Sequence, residues 1–500
     1  MARFLTTKIQ LSGYRMMIRR IEQGFIRRDT RMLASPFSAQ TIAFSVGIFL
    51  AGLVVAVGLL QSLIQPRADQ RNSEIIISNS GGLYAMYGGA LHPVTNLASA
   101  RLITDNPETP KVVKEAALEK HPRGALMGIL SAPNNFSMRT DKEAVWTVCD
   151  QRSDSGELSL TKETALTTTL FAGEDALSGD VTAQPDDQAV LVRLPSQPDR
   201  LWIVYKGRKA EIGANDRATK SALGINTDTE KNAIPISQGL MDAINTAPAL
   251  ASPFIQERGV VNPLLTEANN GDVIVNRDSK GDRVFHAVLV GGVQEIPELL
   301  AQILENTGSK LIDSVDAQRL SELPRVSDID VDRYPSRAPE FTTPYVMCWK
   351  WARGESDLTA RSQVMVGEAL PVKAEDRDKV LPLLKPTGSI VQANDSMMKP
   401  GKGWFVRVTG DAPESQAREQ LLWIDDTGVR YFIGLGDDGK YDQTVNALGI
   451  NTREPLLIPW SIAKLYAQGS TLSRSAALTM HVNVPANPNQ QPVPDDKGGN

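Results

Sequence analysis

The amino-acid sequence predicts an α+β membrane protein in which a basic amphipathic helix and one transmembrane helix precede a large domain of about four strand-turn-strand-helix repeats. Two observations carry this prediction. The first is a long uncharged apolar stretch near the N-terminus, and the second is a pattern of residues that recurs later in the chain. A chain of 500 residues is too long for one hydrophobic core, so we expect several domain-sized units.

The apolar stretch is long enough to cross a bilayer. No charged residue occurs from Met32 to Pro66. A bilayer core about 30 Å thick needs about 20 apolar helical residues. A buried helix of a soluble core would not explain the basic residues beside it, and a cleavable signal peptide would have a shorter apolar region. We therefore predict an uncleaved transmembrane helix over residues 41–64.

The charges on either side of this helix indicate its orientation. Residues 1–40 carry eight basic and two acidic side chains, whereas the charges directly after the helix cancel. The positive-inside rule places the N-terminus in the cytoplasm and the rest of the chain in the periplasm. Of the 53 basic and 58 acidic residues, 45 and 56 lie beyond this tail, a net charge of −11. Such an acidic domain argues against nucleic acid or anionic lipid as its partner.

The cytoplasmic tail, residues 1–40, contains a predicted helix over residues 8–33. Apolar residues approximate one face of this helix and basic residues occupy the other, as in helices that lie on an anionic membrane surface or dock on a partner. The alternative is that the arginines only set the orientation of the transmembrane helix. The residues predicted to dock in the cytoplasm are Arg15, Arg19, Arg20, Arg27, Arg28 and Arg31.

An internal repeat runs through the domain beyond the membrane. Leu201-Trp202-Ile203 recurs as Leu422-Trp423-Ile424, and the sequence ALGINT occurs at both 222–227 and 447–452. The repeated unit predicts a strand, a glycine turn, a second strand and a helix. Two weaker copies begin near residues 83 and 288, and in each a glycine pair is predicted to form the hairpin.

A proline, Pro93 or Pro297, follows the hairpin in these weaker copies and is predicted to open the helix at its first turn. Units this small bury little apolar surface alone, so we expect them to pack on a shared centre. The predicted boundaries are residues 65–480 for the domain, with units near 74–121, 189–250, 270–322 and 388–475, a core near 122–150 and 340–350, and a disordered tail over 481–500.

The chain has two cysteines, Cys149 and Cys348, and both lie beyond the predicted membrane helix. An oxidising compartment favours a disulfide between them. The alternative is two unpaired buried thiols, because free cysteine packs as a small apolar side chain.

Catalytic motifs are incomplete. The loop Gly434–Tyr441 has the spacing of a phosphate-binding loop up to Lys440, but tyrosine replaces the Ser or Thr that would hold Mg²⁺. Ser461 and Lys464 match the Ser-x-x-Lys of penicillin-binding enzymes, whose companion motifs are missing. The four histidines are far apart in sequence, so no metal site, cofactor or catalytic residue is predicted.

Several segments resemble the EccB family of type VII (ESX) secretion systems in mycobacteria and related actinobacteria. They are Thr7-Lys8-Ile9-Gln10-Leu11-Ser12-Gly13-Tyr14-Arg15, Arg27-Arg28-Asp29-Thr30-Arg31-Met32, Asn96-Leu97-Ala98-Ser99-Ala100-Arg101-Leu102-Ile103, Trp146-x-x-Cys149-Asp150 and Gly469-x-Thr471-Leu472-Ser473. The similarity extends in order over nearly the whole chain.

The resemblance implies a structural core subunit of the secretion complex in the inner membrane. It implies an elongated periplasmic domain of four repeats around a central β core, with Cys149 and Cys348 forming the family's disulfide. It also implies self-association of that domain and, as partners, the ATPase EccC, EccD, EccE and the mycosin protease. Some family members carry an ATPase label, so a periplasmic nucleotide hydrolase is the alternative, together with a cell-wall hydrolase that would use Ser461 and Lys464.

Overall fold

The computed structural model describes residues 7–28, 36–64, 73–153, 166–174, 177, 179–313, 315–385 and 391–482. The chain divides into two compact units, residues 1–72 and 73–500. The predicted disordered tail lies outside the described residues from position 483 onward.

The described residues form helices mainly at the N-terminus and between strands. In chain order these helices are α1 (Lys8–Arg27), α2 (Pro36–Ile64), α3 (Leu97–Thr104), α4 (Glu115–Leu118), α5 (Arg217–Ala222), α6 (Thr227–Lys231), α7 (Gln238–Ala243), α8 (Glu298–Asn306), α9 (Ala317–Glu322), α10 (Asp442–Leu448), α11 (Trp460–Ala463) and α12 (Arg474–Ala477), with a 3-10 helix at Ala374–Lys379.

The strands of the described residues all lie in the second compact unit. In chain order these strands are β1 (Ile75–Ser78), β2 (Leu83–Tyr87), β3 (Ala90–Pro93), β4 (Lys111–Val113), β5 (Glu143–Arg152), β6 (Leu166–Ala172), β7 (Val181–Ala183), β8 (Gln188–Leu194), β9 (Gln197–Tyr205), β10 (Arg208–Ile212), β11 (Ile234–Pro235), β12 (Val273–Arg277), β13 (Arg283–Leu289), β14 (Gly292–Ile296), β15 (Leu311–Ile312), β16 (Glu340–Phe341), β17 (Val346–Gly354), β18 (Arg361–Gly367), β19 (Leu381–Pro382), β20 (Asp395–Met397), β21 (Trp404–Thr409), β22 (Leu421–Ile424), β23 (Val429–Phe432), β24 (Leu456–Pro459) and β25 (Ala467–Gln468).

Helix α1 begins where it was predicted and ends earlier. At its start the N–H of Thr7 donates to Gln10 Oε1 at 3.1 Å. The helix ends at Arg27 rather than at residue 33, because Arg28 adopts a left-handed conformation with φ of 54°. The N–H of Arg28 bonds to Gly24 O at 3.0 Å and closes the last turn.

Helix α2 contains the predicted membrane span. It begins at Pro36, five residues before the predicted start at Thr41, since proline has no N–H to leave unpaired in a first turn. Residues Gln40–Gly58 are long and apolar enough to cross a membrane. The hydroxyl of Ser45 donates to Thr41 O at 2.8 Å, so this polar group is satisfied within the helix.

Four of the five sheets formed by the described residues share one strand order. In each, three antiparallel strands are followed by helix, and a fourth strand returns parallel to the first. The four orders are β3-β2-β1-β4, β10-β9-β8-β11, β14-β13-β12-β15 and β23-β22-β21-β24. Two of these sheets have a fifth strand, because β16 pairs with β8 and β25 with β23. Each fourth strand leads into a short helix. We name residues 75–118, 188–243, 273–322 and 404–463 the first, second, third and fourth units.

Two of the hairpins have the predicted glycine turns. Gly88 and Gly89 both have positive φ, 58° and 80°, and connect β2 to β3. Lys206 and Gly207, with φ of 44° and 70°, connect β9 to β10. Positive φ at both central residues is the requirement of the type I′ turn, whose twist matches the strands beside it.

The weaker copies differ from the prediction at two points. Gly292 belongs to β14 and pairs with Leu289, so it is not a turn residue. A Cβ on Gly292 would approach the carbonyl oxygen of Pro324 to 2.1 Å, and this close approach explains the glycine. Pro93 ends β3 and does not open α3, because the side chain of Asn96 accepts the N–H of Ser99 and caps that helix. Pro297 is the N-cap residue of α8.

The fifth sheet is central and has the strand order β19-β20-β6-β5-β17-β18-β7. Strands β5 and β17, which carry the cysteines, form an antiparallel pair in its middle. One face of this pair presents Trp146, which lies 4.8 Å between ring centroids from Trp404 of the fourth unit. The indole N–H of Trp146 donates to Leu457 O at 2.9 Å, so strand β24 is fixed against the sheet.

The four units contact one another through corresponding helices. Helix α3 of the first unit meets α10 of the fourth, where Arg101 donates to Leu448 O at 2.7 Å. Helix α7 of the second unit meets α11 of the fourth, and their side chains Asp242 and Lys464 form an ion pair. Helix α5 of the second unit packs on α8 of the third. The order of contact is therefore first, fourth, second, third.

Candidate functional site

The two cysteines are bonded to each other at the middle of the central sheet. Cys149 on β5 is directly opposite Cys348 on β17, and the disulfide closes a sequence separation of 199 residues. Both cysteines are fully buried, beside Phe171, Met365 and Val372. The disulfide that compartment and family resemblance favoured is therefore present.

Asp150, next to this disulfide, is the buried acid that joins the central sheet to the second unit. Its Oδ2 accepts the N–H of Ser237 at 2.6 Å. Its Oδ1 accepts the hydroxyls of Ser237 at 2.9 Å and Thr168 at 2.7 Å. Ser237 is in turn the N-cap of α7, so the carboxyl group holds the start of that helix on the sheet.

Burial raises the pKa of Asp150 to about 6, and the hydrogen bonds from Ser237 and Thr168 oppose that rise only in part. In the sequence Asp150 is recognisable only as part of a family-like segment, and its structural role was not predicted. The available signal was an aspartate directly after the run Ala144–Cys149, which is apolar except for Thr147, because a charged group in such a place needs specific partners.

The Ser-x-x-Lys motif lies at the contact between the second and fourth units. Ser461 is buried, and its N–H donates to Asp411 Oδ1 at 3.2 Å, as that of Ser237 does to Asp150. Lys464 pairs with Asp242 across α11 and α7. Of the two residues of the hydrolase hypothesis, Lys464 is thus engaged in an ion pair between units, and Ser461 is buried at the start of α11 with its backbone N–H bonded to Asp411.

The loop Gly434–Tyr441 is a turn closed by its own hydrogen bonds. The N–H of Gly436 donates to Lys440 O at 2.7 Å, and the N–H of Lys440 donates to Asp438 Oδ1 at 2.9 Å. The N–H of Asp437 donates to Gln443 Oε1 at 2.8 Å. A phosphate-binding loop instead directs free N–H groups toward the phosphate, so the bonds that close this turn do not fit that role.

Two of the four histidines, His92 and His481, contact backbone carbonyl groups of the segment 125–128. His92 Nδ1 lies 2.9 Å from Ala125 O, whereas His286 is buried in β13 of the third unit. In the part of the chain that the structure describes, no group of three or more His, Cys, Asp or Glu is placed to hold a metal ion.

Helix α1 presents both of its faces to the outside within its own compact unit. Arg15, Arg19 and Arg20 are exposed on α1, and Arg28 is exposed at its C-cap. Arg27 is the last residue of the helix, and Arg31 lies outside the described residues. The apolar residues are exposed as well, from 41% at Ile18 to 85% at Phe25.

These features define a class of protein. One helix can span a membrane, a basic amphipathic helix precedes it, and in the disulfide-bonded domain that follows Asp150 and the Asp242–Lys464 pair join different parts. That is the class of membrane-anchored subunits of larger assemblies.

The chain belongs to the EccB family of type VII (ESX) secretion. The family model described as "Type VII secretion system ESX-1, transport TM domain B" matches residues 3–486. The ESX-5 secretion system ATPase EccB5 of Mycobacterium tuberculosis is 34% identical over 498 residues, which cover 96% of this chain and 94% of that protein.

Solved structures agree with this assignment. A chain of the intact ESX-5 inner membrane complex is 31% identical with a TM-score of 0.74, over 99% of both chains. The periplasmic assembly of ESX-5 gives 33% identity and a TM-score of 0.71, over 85% of this chain and 100% of that one. The EccB3 dimer of the ESX-3 core complex gives 30% identity and a TM-score of 0.70, over 81% of this chain and 100% of that one. The predicted family and inner-membrane location are confirmed.

Proposed function

We propose that this chain is a structural core subunit of an ESX inner-membrane complex. It would anchor the complex through α2, associate with other copies through its periplasmic domain, and bind cytoplasmic components through α1. The observation that carries the proposal is the similarity over 99% of the chain, from the tail to the periplasmic domain, to a chain of the intact ESX-5 inner membrane complex.

Self-association of the periplasmic domain is supported by a relative and by the fold. The relative EccB3 was solved as a dimer from the ESX-3 core complex. In the present chain the disulfide, the buried Asp150 and the Asp242–Lys464 ion pair hold the parts of the domain in fixed contact. A rigid domain loses little conformational freedom when it associates, which favours stable assembly.

The domain organisation belongs to the same proposal. We assign residues 1–40 to the cytoplasm, 41–64 to the membrane and 65–480 to an elongated periplasmic domain of four repeats around a central core, with 481–500 as a disordered tail. The shared strand order of four sheets and the central position of the fifth support this assignment.

The basic face of α1 is proposed to bind the cytoplasmic partners. By family resemblance the partners of the chain are the ATPase EccC, EccD, EccE and the mycosin protease. Arg15 and Arg19 are one helical turn apart and exposed, so an acidic surface can contact both at once.

The variant Arg15→Glu/Arg19→Glu should lose most of the cytoplasmic components on co-purification in mild detergent, by about tenfold or more, because like charges facing each other cost several kcal/mol. The periplasmic domain should still self-associate in crosslinking experiments. The matched control is Lys120→Glu/Lys280→Glu, with the same charge change at exposed positions of the periplasmic domain. A variant complex with the parental composition would contradict the proposal.

A further inference from the structure

The apolar face of α1 is continuous along the helix. At about 100° per residue, six apolar side chains fall within one sector of about 120°. All six are more than two-fifths exposed in the compact unit to which α1 belongs. They are Leu11, Tyr14, Met17, Ile18, Ile21 and Phe25.

Basic side chains border this face on both sides. The same helical geometry places Arg15 on one flank and Arg20 on the other, whereas Arg19 points away from the apolar face. Arg20 also stands at the rim of a shallow depression lined by Met17, Ile21 and Phe25. Glu22, the one acidic residue in the sequence of α1, lies on the same flank as Arg15, so the flank of Arg20 is the more cationic one. An apolar sector beside a cationic flank complements a layer of acyl chains beneath anionic headgroups.

The chain also keeps α1 close to the membrane. Helix α1 ends at Arg27 and the membrane helix begins at Pro36, so eight residues separate them. Eight residues reach at most about 30 Å even when fully extended. The helix is thus held near the membrane surface whether or not a partner is present.

We propose that α1 lies in the plane of the membrane on the cytoplasmic leaflet, with its apolar face inserted among the acyl chains and Arg20 at anionic headgroups. This inference uses the orientation given under the proposed function. It leaves Arg15 and Arg19 directed away from the acyl chains, where they can bind a partner. A groove in a partner protein could take the same apolar face, and the experiment distinguishes the two.

The test uses the full chain with one added cysteine, reconstituted into lipid vesicles without other proteins. Both native cysteines are bonded to each other and buried, so a maleimide fluorophore reacts with the added thiol alone. Ile18→Cys and Phe25→Cys report on the apolar face, and Ser12→Cys and Gln23→Cys are the matched controls on the opposite face. Vesicles are made of phosphatidylcholine with or without phosphatidylglycerol.

The labels at positions 18 and 25 should be quenched several-fold more by lipids with nitroxide on the acyl chain than the labels at 12 and 23. This difference in quenching between the two pairs of labels should increase with phosphatidylglycerol and fall with added salt. Arg20→Gln should lower the ratio of inserted to free helix about fivefold, the factor expected for one basic residue at an anionic surface.

Equal quenching of all four labels by aqueous iodide, in both kinds of vesicle, would overturn the inference. So would shielding of positions 18 and 25 that appears only after cytoplasmic components of the complex are added, since a protein groove would then be the occupant. The vesicles contain this chain alone, so either result leaves the co-purification test of the proposed function undecided and separate.

Discussion

Replacing Cys149 and Cys348 together by alanine should lower the free energy of unfolding of the periplasmic domain by about 5 kcal/mol. The disulfide joins residues 199 positions apart, and the chain-entropy model gives about 5 kcal/mol for a loop of that length. Alanine is preferred to serine, because serine would bury hydroxyl groups beside apolar Phe171 and Met365.

Chemical denaturation of the full chain in detergent, followed by tryptophan fluorescence, measures this effect. All seven tryptophans lie beyond residue 145, so the signal reports on the periplasmic domain alone. Reductant added during denaturation should give the native chain the midpoint of the variant, whereas reductant without denaturant should leave the buried disulfide intact. Equal stability of variant and parent would contradict the role assigned to the bond.

The contribution of Asp150 to the stability of the periplasmic domain should fall as pH rises from about 4 through 6. The pKa of this carboxyl group is raised from 3.8 to about 6 in the folded chain, mainly by burial. The folded state therefore holds a proton that the unfolded state has released over this interval. Ionisation of Asp150 therefore lowers the free energy of unfolding by about 3 kcal/mol above pH 6, and it has no effect below about pH 4.

The variant Asp150→Asn should remove this dependence. An amide is neutral at every pH, its oxygen can accept the Ser237 N–H, and its NH₂ can donate to the hydroxyls of Ser237 and Thr168. Above pH 6 it should be more stable than the parent by up to about 3 kcal/mol. Asp150→Ala should be destabilised by about 2 to 3 kcal/mol at all pH values, because it leaves these donors unpaired.

Denaturation midpoints measured from pH 4 to pH 8 check both variants, and exposed Asp199→Asn is the matched control. The control should show the same change of denaturation midpoint with pH as the parent. An Asp150→Asn variant whose stability changes with pH as that of the parent does would show that the carboxyl group is not held as described.

The sequence alone was sufficient for the features set by local pattern. The membrane helix follows from uncharged length, and strands β9 and β22 follow from the repeated Leu-Trp-Ile with its glycine turn. Each of these signals lies within about 25 consecutive residues, where apolar periodicity and turn chemistry act directly.

The features that sequence analysis missed depend on pairing between distant residues. The parallel strands β11 and β15 are two residues long and carry no recognisable strand pattern. The central sheet brings β5 beside β17 from 199 positions away, and only the two cysteines indicated it. The role of Asp150 was missed for the same reason, since its partners Thr168 and Ser237 lie 18 and 87 positions away.

The orientation of the chain in the membrane is the claim on which the proposed role depends, and labelling of spheroplasts tests it most directly. Lys280→Cys lies on the periplasmic domain and Ser12→Cys on α1, and both positions are exposed. A membrane-impermeant maleimide should label Lys280→Cys in intact spheroplasts and Ser12→Cys only after lysis. Labelling of Ser12→Cys in intact spheroplasts, with Lys280→Cys protected until lysis, would contradict the account.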